Sequence, residues 1–376
     1  MFTGREMLSG NKVLITKRDG VIADFVNEQD AGDNIEYLEG ILAPGFINCH
    51  CHLELSHMKG VIAPGCGLVD FIFKVVSERN VADELMLAAI DAAEKEMLRN
   101  GIVAVGDICN NAITVQQKVK GNIWYHNFIE VAGVIPAFAG KRFQQMLEVL
   151  REFEKSLPAN SMVPHAPYSV SPPLFKLMND LAGNRLLTIH NQEIADESAL
   201  FEQGTGDFLR MYDMMGIDIS FFRPTGQSAL QSWMPHFNKE QTLILVHNVA
   251  MSERDVEFAG QHVLNSGMQM YYCLCPNANL YISNGLPRLP LFTDMHEQIV
   301  LGTDSLASNQ QLSILSEMYT LKKYFPALTQ ETLLKWATSN GAKALGIENR
   351  YGSFEKGKQP GVVLIDDYFE KASRVI

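Results

Sequence analysis

Residues 44–57 read PGFINCHCHLELSH, with Cys49, His50, Cys51 and His52 in direct succession and His57 five positions on. Thiolate and imidazole are both good zinc ligands, so the first chemistry this stretch suggests is metal binding. Side chains alternate across an extended strand, so His50 and His52 share one face while Cys49 and Cys51 share the other. One ion can take both imidazoles or both thiolates, not all four.

Other polar residues stand where apolar runs end. His190 closes LLTIH, His247 closes LILVH, Asp304 follows VLGT, Glu193 lies three residues beyond His190 in HNQE, and His165 stands in VPHAPYS. A lone histidine in such a run is more often a hydrogen-bonded core residue than a ligand. Chance, however, would scatter histidines over loops and outer helices, the places expected for His126, His236, His262 and His296. His190 and Asp304 are nitrogen and oxygen donors, so the imidazole pair His50/His52 belongs with them, and Cys49 and Cys51 become packing. Three His and one Asp make an open site, whereas structural zinc is closed, usually with several thiolates. A divalent ion there lowers the pKa of a water in its shell toward ~7, which serves hydrolysis. Asp304 would both ligate and take the water's proton, His247 would orient and polarise that water, and Glu193 would carry a proton to a leaving amine. The bland alternative for Glu193 is a carboxylate favoured by a helix start.

Two competing motifs fail. His52-Leu53-Glu54 matches the H-x-E of zinc nucleobase deaminases, but Cys273-Leu274-Cys275-Pro276 is no P-C-x-x-C. H-E-x-x-H is absent.

Such residues need a scaffold that gathers strand ends. Apolar strands are expected at 46–50, 103–108, 124–131, 162–165, 186–190, 243–247, 270–274 and 299–303, with helices at 83–99, 144–156, 174–182, 252–266 and 330–345. Strands alternating with helices indicate a parallel sheet, and about eight such units indicate an α/β (β/α)8 TIM-like barrel whose strand C-termini build the active site. An open doubly wound sheet lacks its G-x-G-x-x-G turn. The alternating segments KVLITKRDGVIADF and NIEYLEGILAPG, and the run Val362–Ile365 before a pair of aspartates, suggest a small β-sandwich domain formed by both chain ends. The expected domains are residues 1–44 and 350–376 for the β-sandwich and 45–349 for the barrel. Phe71, Arg79, Asn277 and Trp233 are expected to shape the pocket.

The 376 residues are 47% hydrophobic and 20% charged, which fits a large globular core. A net charge of −12 without a Lys/Arg block argues against nucleic acid or an anionic membrane as partner. No leader-like or membrane-spanning apolar run is seen, and a cytoplasmic location is expected. Six cysteines in a chain this long suggest buried free thiols rather than a disulfide scaffold.

PGFINCHCH, HNQE, VHNV and GTDS, in that order, resemble the amidohydrolase superfamily in its mononuclear deaminase branch, and the resemblance covers nearly the whole chain. It implies His50, His52, His190 and Asp304 as metal ligands, Glu193, His247 and Asp304 as catalytic, and His165 as substrate-binding. It also implies one divalent ion, Zn2+ with Fe2+ as the alternative; His165 in place of the carboxylated lysine of binuclear members favours a single metal. HLELSHMKG and the run from His190 to Gly216 look most like aminodeoxyfutalosine deaminases, next to S-adenosylhomocysteine-type nucleoside deaminases. The implied activity is hydrolytic deamination of an amino-purine nucleoside with release of ammonia. The alternatives are hydrolysis of another heterocycle (guanine, pterin or a chlorinated triazine) and a non-catalytic barrel relic. A small molecule is the expected partner, and a homodimer is an open option. Cys51 departs from the small polar residue usual between the two histidines, and QPGVVLID from an A-D-L-V-like run.

Overall fold

The computed structural model describes residues 1–8, 12–366 and 368–376; Asp367, half of the expected aspartate pair, lies outside them. Near the N-terminus β1 (Lys12–Thr16) and β2 (Ile22–Asn27) form an antiparallel hairpin, followed by β3 (Ile41–Pro44). Eight strands then alternate with helices: β4 (Phe46–Cys51), β5 (Ile102–Cys109), β6 (Trp124–Val131), β7 (Asn160–Pro164), β8 (Leu186–Asn191), β9 (Thr242–His247), β10 (Gln269–Leu274) and β11 (Ile299–Leu301). They make two four-stranded parallel sheets, β4-β5-β6-β7 and β8-β9-β10-β11. Every residue of β4 and β5 is buried, which is why these strands read as apolar runs rather than alternating ones.

The two sheets meet along two seams. At one, Cys51 bridges Asp304 in parallel and the His50 carbonyl accepts from the amides of Thr303 and Asp304, each at 3.0 Å. At the other, the His190 amide donates to the His165 carbonyl at 3.0 Å. The chain ends share a three-stranded antiparallel sheet, in which β12 (Val362–Ile365) lies between β3 and β13 (Ala372–Arg374).

All eight expected core strands are present, shifted by no more than two residues at either end. The helix expected over 330–345 is instead two, Gln330–Ala337 and Ser339–Ala344, because Thr338 takes φ −130°, ψ −87°. Its hydroxyl donates back to the Leu334 carbonyl at 2.6 Å, a bond that competes with the helix. The second helix then drops onto β4, where a Cβ on Gly341 would stand 2.9 Å from Ile47. His126 is not on a loop or outer helix as expected: it is buried within β6 and hydrogen-bonds the Ser161 hydroxyl at 2.9 Å. The helix Leu68–Glu78 was not expected at all. No helix among the described residues is long and apolar enough to cross a membrane.

Candidate active site

The expected residues do converge at the strand ends. His50 lies on β4 and His52 just beyond it, and the next amide, Leu53 N–H, donates to Asp107 Oδ1 at 2.8 Å. Asp107 is itself held by Lys118 Nζ at 2.5 Å, both side chains wholly buried. A buried ion pair between β5 and the short helix Val115–Lys118 thus fixes the backbone that presents His52. His190 is the penultimate residue of β8, His247 ends β9, and Asp304 follows β11. Left-handed backbone gathers here on non-glycine residues: Gln192 (φ 45°), His247 (74°), Asn248 (61°) and Asp304 (57°). Such conformations cost energy and persist only where surrounding bonds enforce them. Those bonds are Asn248 N–H to the Asn191 carbonyl (3.0 Å), Ala250 N–H to the Gln192 carbonyl (2.8 Å) and Asp304 N–H to the His50 carbonyl.

The donor atoms crowd together. His50 Nε2 is 3.2 Å from His52 Nε2, and Asp304 Oδ1 is 3.6 Å from the first and 3.4 Å from the second. The His190 ring centroid is 4.8 Å from that of His50. His190 Nδ1–H donates to the His165 carbonyl at 2.8 Å, which leaves its Nε2 lone pair as the free ligand atom. Burial pushes His52 down to about 4, and burial plus the neighbouring imidazoles push His190 well below its ordinary value. Burial works the other way on Asp304, but the neighbouring His50 and His52 imidazoles outweigh it and hold the carboxyl far below its usual range. Neutral imidazoles and an ionised carboxylate are the forms a metal requires. Two nitrogens and an oxygen crowded at such distances fit a divalent cation. The nitrogen–oxygen donor set suits zinc and other borderline metals.

Glu193 and His247 flank this cluster. Glu193 is buried, with Oε2 3.5 Å from His247 Nε2 and Oε1 without a partner. Burial first, then the charges of Asp304 and Glu197, raise its pKa well above the usual carboxylate range, which favours its protonated form. The helix-start alternative fails: Glu197, not Glu193, takes the amides of Gln192 and Glu193, at 3.0 and 2.7 Å, ahead of helix Ala195–Gln203. His247 is pushed down to about 3, mainly by burial, and its Nδ1 faces the Asn279 amide at 3.0 Å.

His52, His190, Glu193, His247 and Asp304 share one cavity of about 340 Å³. Its apolar wall is a stripe of helix Leu68–Glu78, namely Leu68, Phe71, Ile72, Val75 and Val76, at the three- and four-residue spacing of one helix face. Arg79 follows the stripe, and Asn110, Glu130 and His165 complete a polar side. Phe71 and Arg79 thus line the pocket as expected, but Asn277 and Trp233 do not. Trp233 is a core residue donating to Asn191 Oδ1 at 3.1 Å, and Asn277 is bound to Glu317. The sequence reading missed Asn110 and Glu130; the available signal was their place at the ends of β5 and β6, the same position that marked the histidines. Cys49 and Cys51 are fully buried free thiols. Glu54 binds Arg79 and the Asn110 amide rather than joining the histidines, so the H-x-E match is coincidental.

A fold of parallel strands carrying a His/Asp cluster at their C-terminal ends defines a class of metal-dependent hydrolases. Residues 41–375 match the amidohydrolase family, and the chain belongs to it. It is similar to the 5-methylthioadenosine/S-adenosylhomocysteine deaminase of Syntrophobacter fumaroxidans, 27% identical over 385 residues, covering 96% of this chain and 79% of that one. Its fold matches that of Helicobacter pylori aminofutalosine deaminase in complex with methylthio-coformycin, with a TM-score of 0.78, 22% identity, and coverage of 95% of this chain and 87% of that one. It also matches an adenosine deaminase from Xanthomonas campestris with bound zinc, with a TM-score of 0.69, 23% identity, and coverage of 93% and 78%.

Proposed function

We propose that this chain is a metal-dependent hydrolytic deaminase of amino-purine nucleosides, a hydrolase acting on a C–N bond of a cyclic amidine. The observation that carries this reading is the meeting, in one cavity, of a His/Asp donor cluster and a buried carboxyl with a raised pKa, Glu193. A relic barrel has no use for either. Relatives named for nucleoside deamination support the substrate class, and aminodeoxyfutalosine is the particular substrate we favour within it.

In this reading His50, His52, His190 and Asp304 hold one divalent ion, zinc by preference, which when bound acts as a Lewis acid and acidifies water. Glu193 delivers its proton to the ring nitrogen beside the carbon that loses its amine. His247, anchored by Asn279, orients the attacking water, and Asp304 takes its proton. Addition of water across the C=N bond and departure of ammonia leave a carbonyl in place of the amine. His165 binds the substrate outside the reacting atoms. The two parallel sheets are read as one (β/α)8 barrel, supported by the hydrogen bonds at both seams. The hairpin and the three-stranded end sheet are read as the β-sandwich domain of residues 1–44 and 350–376.

The test is ammonia release by metal-analysed protein from a panel of adenine nucleosides, guanine, pterins and triazines. Turnover of the adenine nucleosides is expected, and turnover confined to the other heterocycles overturns the substrate class.

A further inference from the structure

One carboxylate in the cavity has no assigned work. Glu130, at the penultimate position of β6, is 6% exposed and lines the pocket. Its Oε2 accepts from the Asn110 amide at 2.8 Å, while its Oε1 is buried with no hydrogen-bond partner. The orphan is fixed in place, because Asn110 Oδ1 is itself held by Arg79 at 2.9 Å and its main-chain amide by Glu54 at 3.0 Å. Leaving a buried carboxylate oxygen unpaired is costly, and such groups call for an explanation.

His190 does not supply one. Glu130 Oε1 is 3.7 Å from His190 Nδ1, outside hydrogen-bond range, and that nitrogen's proton is already given to the His165 carbonyl at 2.8 Å. No Lys or Arg side chain pairs with Glu130 among the described residues. Arg79, the nearby cation, is matched by Glu54. What is missing is therefore a hydrogen-bond donor that arrives with the ligand. A carboxylate accepts only, so what it awaits is an O–H or N–H donor. In the nucleoside reading the reacting amine lies at Glu193 and the His/Asp cluster, so the donors left for Glu130 are the hydroxyls of the sugar. Beside Glu130 stands His165, whose Nδ1 is taken by the Ser169 hydroxyl at 2.7 Å, leaving Nε2 free. Polar atoms of Glu130, His165 and His190 lie within 4.8 Å of one another, a spacing two adjacent hydroxyls can bridge.

We infer that Glu130, with His165 beside it, is a diol-recognition subsite: Oε1 accepts hydrogen bonds from the vicinal hydroxyls of the substrate's sugar. The assignment rests on the nucleoside-deaminase reading and narrows it to substrates that keep a cis-diol. The same three residues form a His/Glu group that a second cation would require, but His190 Nδ1 is spent as a donor, so the diol is the better occupant.

The experiment compares kcat/KM for adenosine and 2′,3′-dideoxyadenosine, using metal-loaded wild type and Glu130→Ala. Sites built to bind a hydroxyl reject analogues that lack it by large factors, so a wild-type preference on the order of 100-fold is expected, falling to about tenfold or less in the variant. A wild type that turns over both nucleosides equally overturns the subsite without touching the deaminase reading, and this arm does not depend on the variant folding. An unchanged preference in a folded Glu130→Ala protein overturns it as well, because the loss would then lie in general scaffolding. Two ions per wild-type chain, one of them lost in the variant, replaces the diol with a second cation. Absence of ammonia from every nucleoside overturns the deaminase reading, and the subsite with it.

Discussion

Replacing Glu193 by Gln isolates proton delivery from every other part of the site. The side chain is buried, with Oε2 3.5 Å from His247 Nε2 and Oε1 without a hydrogen-bond partner, so an amide of nearly the same shape fits the same space. None of the proposed ligands His50, His52, His190 and Asp304 is altered, and the metal content should stay that of wild type. What changes is that the amide has no proton to give at the ring nitrogen. A positioned general acid or base is worth roughly 10²- to 10⁴-fold, or about 2.7–5.4 kcal/mol of barrier lowering at 1.36 kcal/mol per tenfold. The assay is steady-state ammonia release alongside elemental analysis. The expected result is kcat lowered by that factor with KM little changed, the signature of an interaction made only in the transition state. A metal-replete variant within about fivefold of wild-type kcat would refute the reasoning, since so small a loss lies far below what a general acid supplies.

Other perturbations probe the scaffold. Lys118→Met strands the wholly buried Asp107 carboxylate without its cation, and breaking such a pair costs about 3–5 kcal/mol; chemical unfolding should register that loss, and metal affinity should fall too because Asp107 anchors the Leu53 amide beside His52. At Gly302 an added Cβ would stand 2.7 Å from His50 Cβ and 2.8 Å from Cys273 Sγ, so Gly302→Ala should cost about 1–3 kcal/mol of stability by overpacking; an unchanged melting temperature would mean the strand end yields freely. Burial pushes His126 down to about 3 from an ordinary value of 6.5. The unfolded chain then binds more protons than the folded one between those values, so this residue's stabilising contribution is complete above pH 6.5 and is lost as pH falls through the window, by up to about 1.4 kcal/mol per pH unit. His126→Phe, which keeps an aromatic ring beside Phe128, should therefore unfold less readily on acidification than wild type, and parallel pH–stability curves for the two proteins would contradict this.

The parts of the site visible in the sequence are those where one physical rule acts alone. Strand alternation separates His50 and His52 from Cys49 and Cys51, and the structure has the two imidazoles 3.2 Å apart with both thiols buried. Apolar runs buried on both faces mark β4–β11 and place His190, His247 and Asp304 at their ends. What stayed hidden depends on tertiary contact. Helix Leu68–Glu78 follows a 3-10 turn and the glycine-rich stretch Gly60–Gly67, so it falls outside the one-strand, one-helix rhythm although it forms the pocket wall. The break at Thr338 comes from a side-chain bond and from close packing at Gly341. Glu130 sits inside an apolar run, NFIEV; its place near the end of β6 is the only hint in the sequence, and the orphaned oxygen shows itself only in the folded cavity. His126 shows the converse: histidine in a run is sometimes the hydrogen-bonded core residue, and only its position inside β6 rather than at its end tells the two apart.

The central claim is that one divalent ion held by His50, His52, His190 and Asp304 makes this chain a nucleoside deaminase. It is tested most directly by stripping the protein with a chelator and titrating zinc back while following ammonia release from an adenine nucleoside. The account predicts activity that rises linearly and saturates at one ion per chain, with His190→Ala neither retaining the ion nor regaining turnover. Full deamination by metal-free protein, or saturating zinc uptake with no ammonia released from any adenine nucleoside, would contradict it.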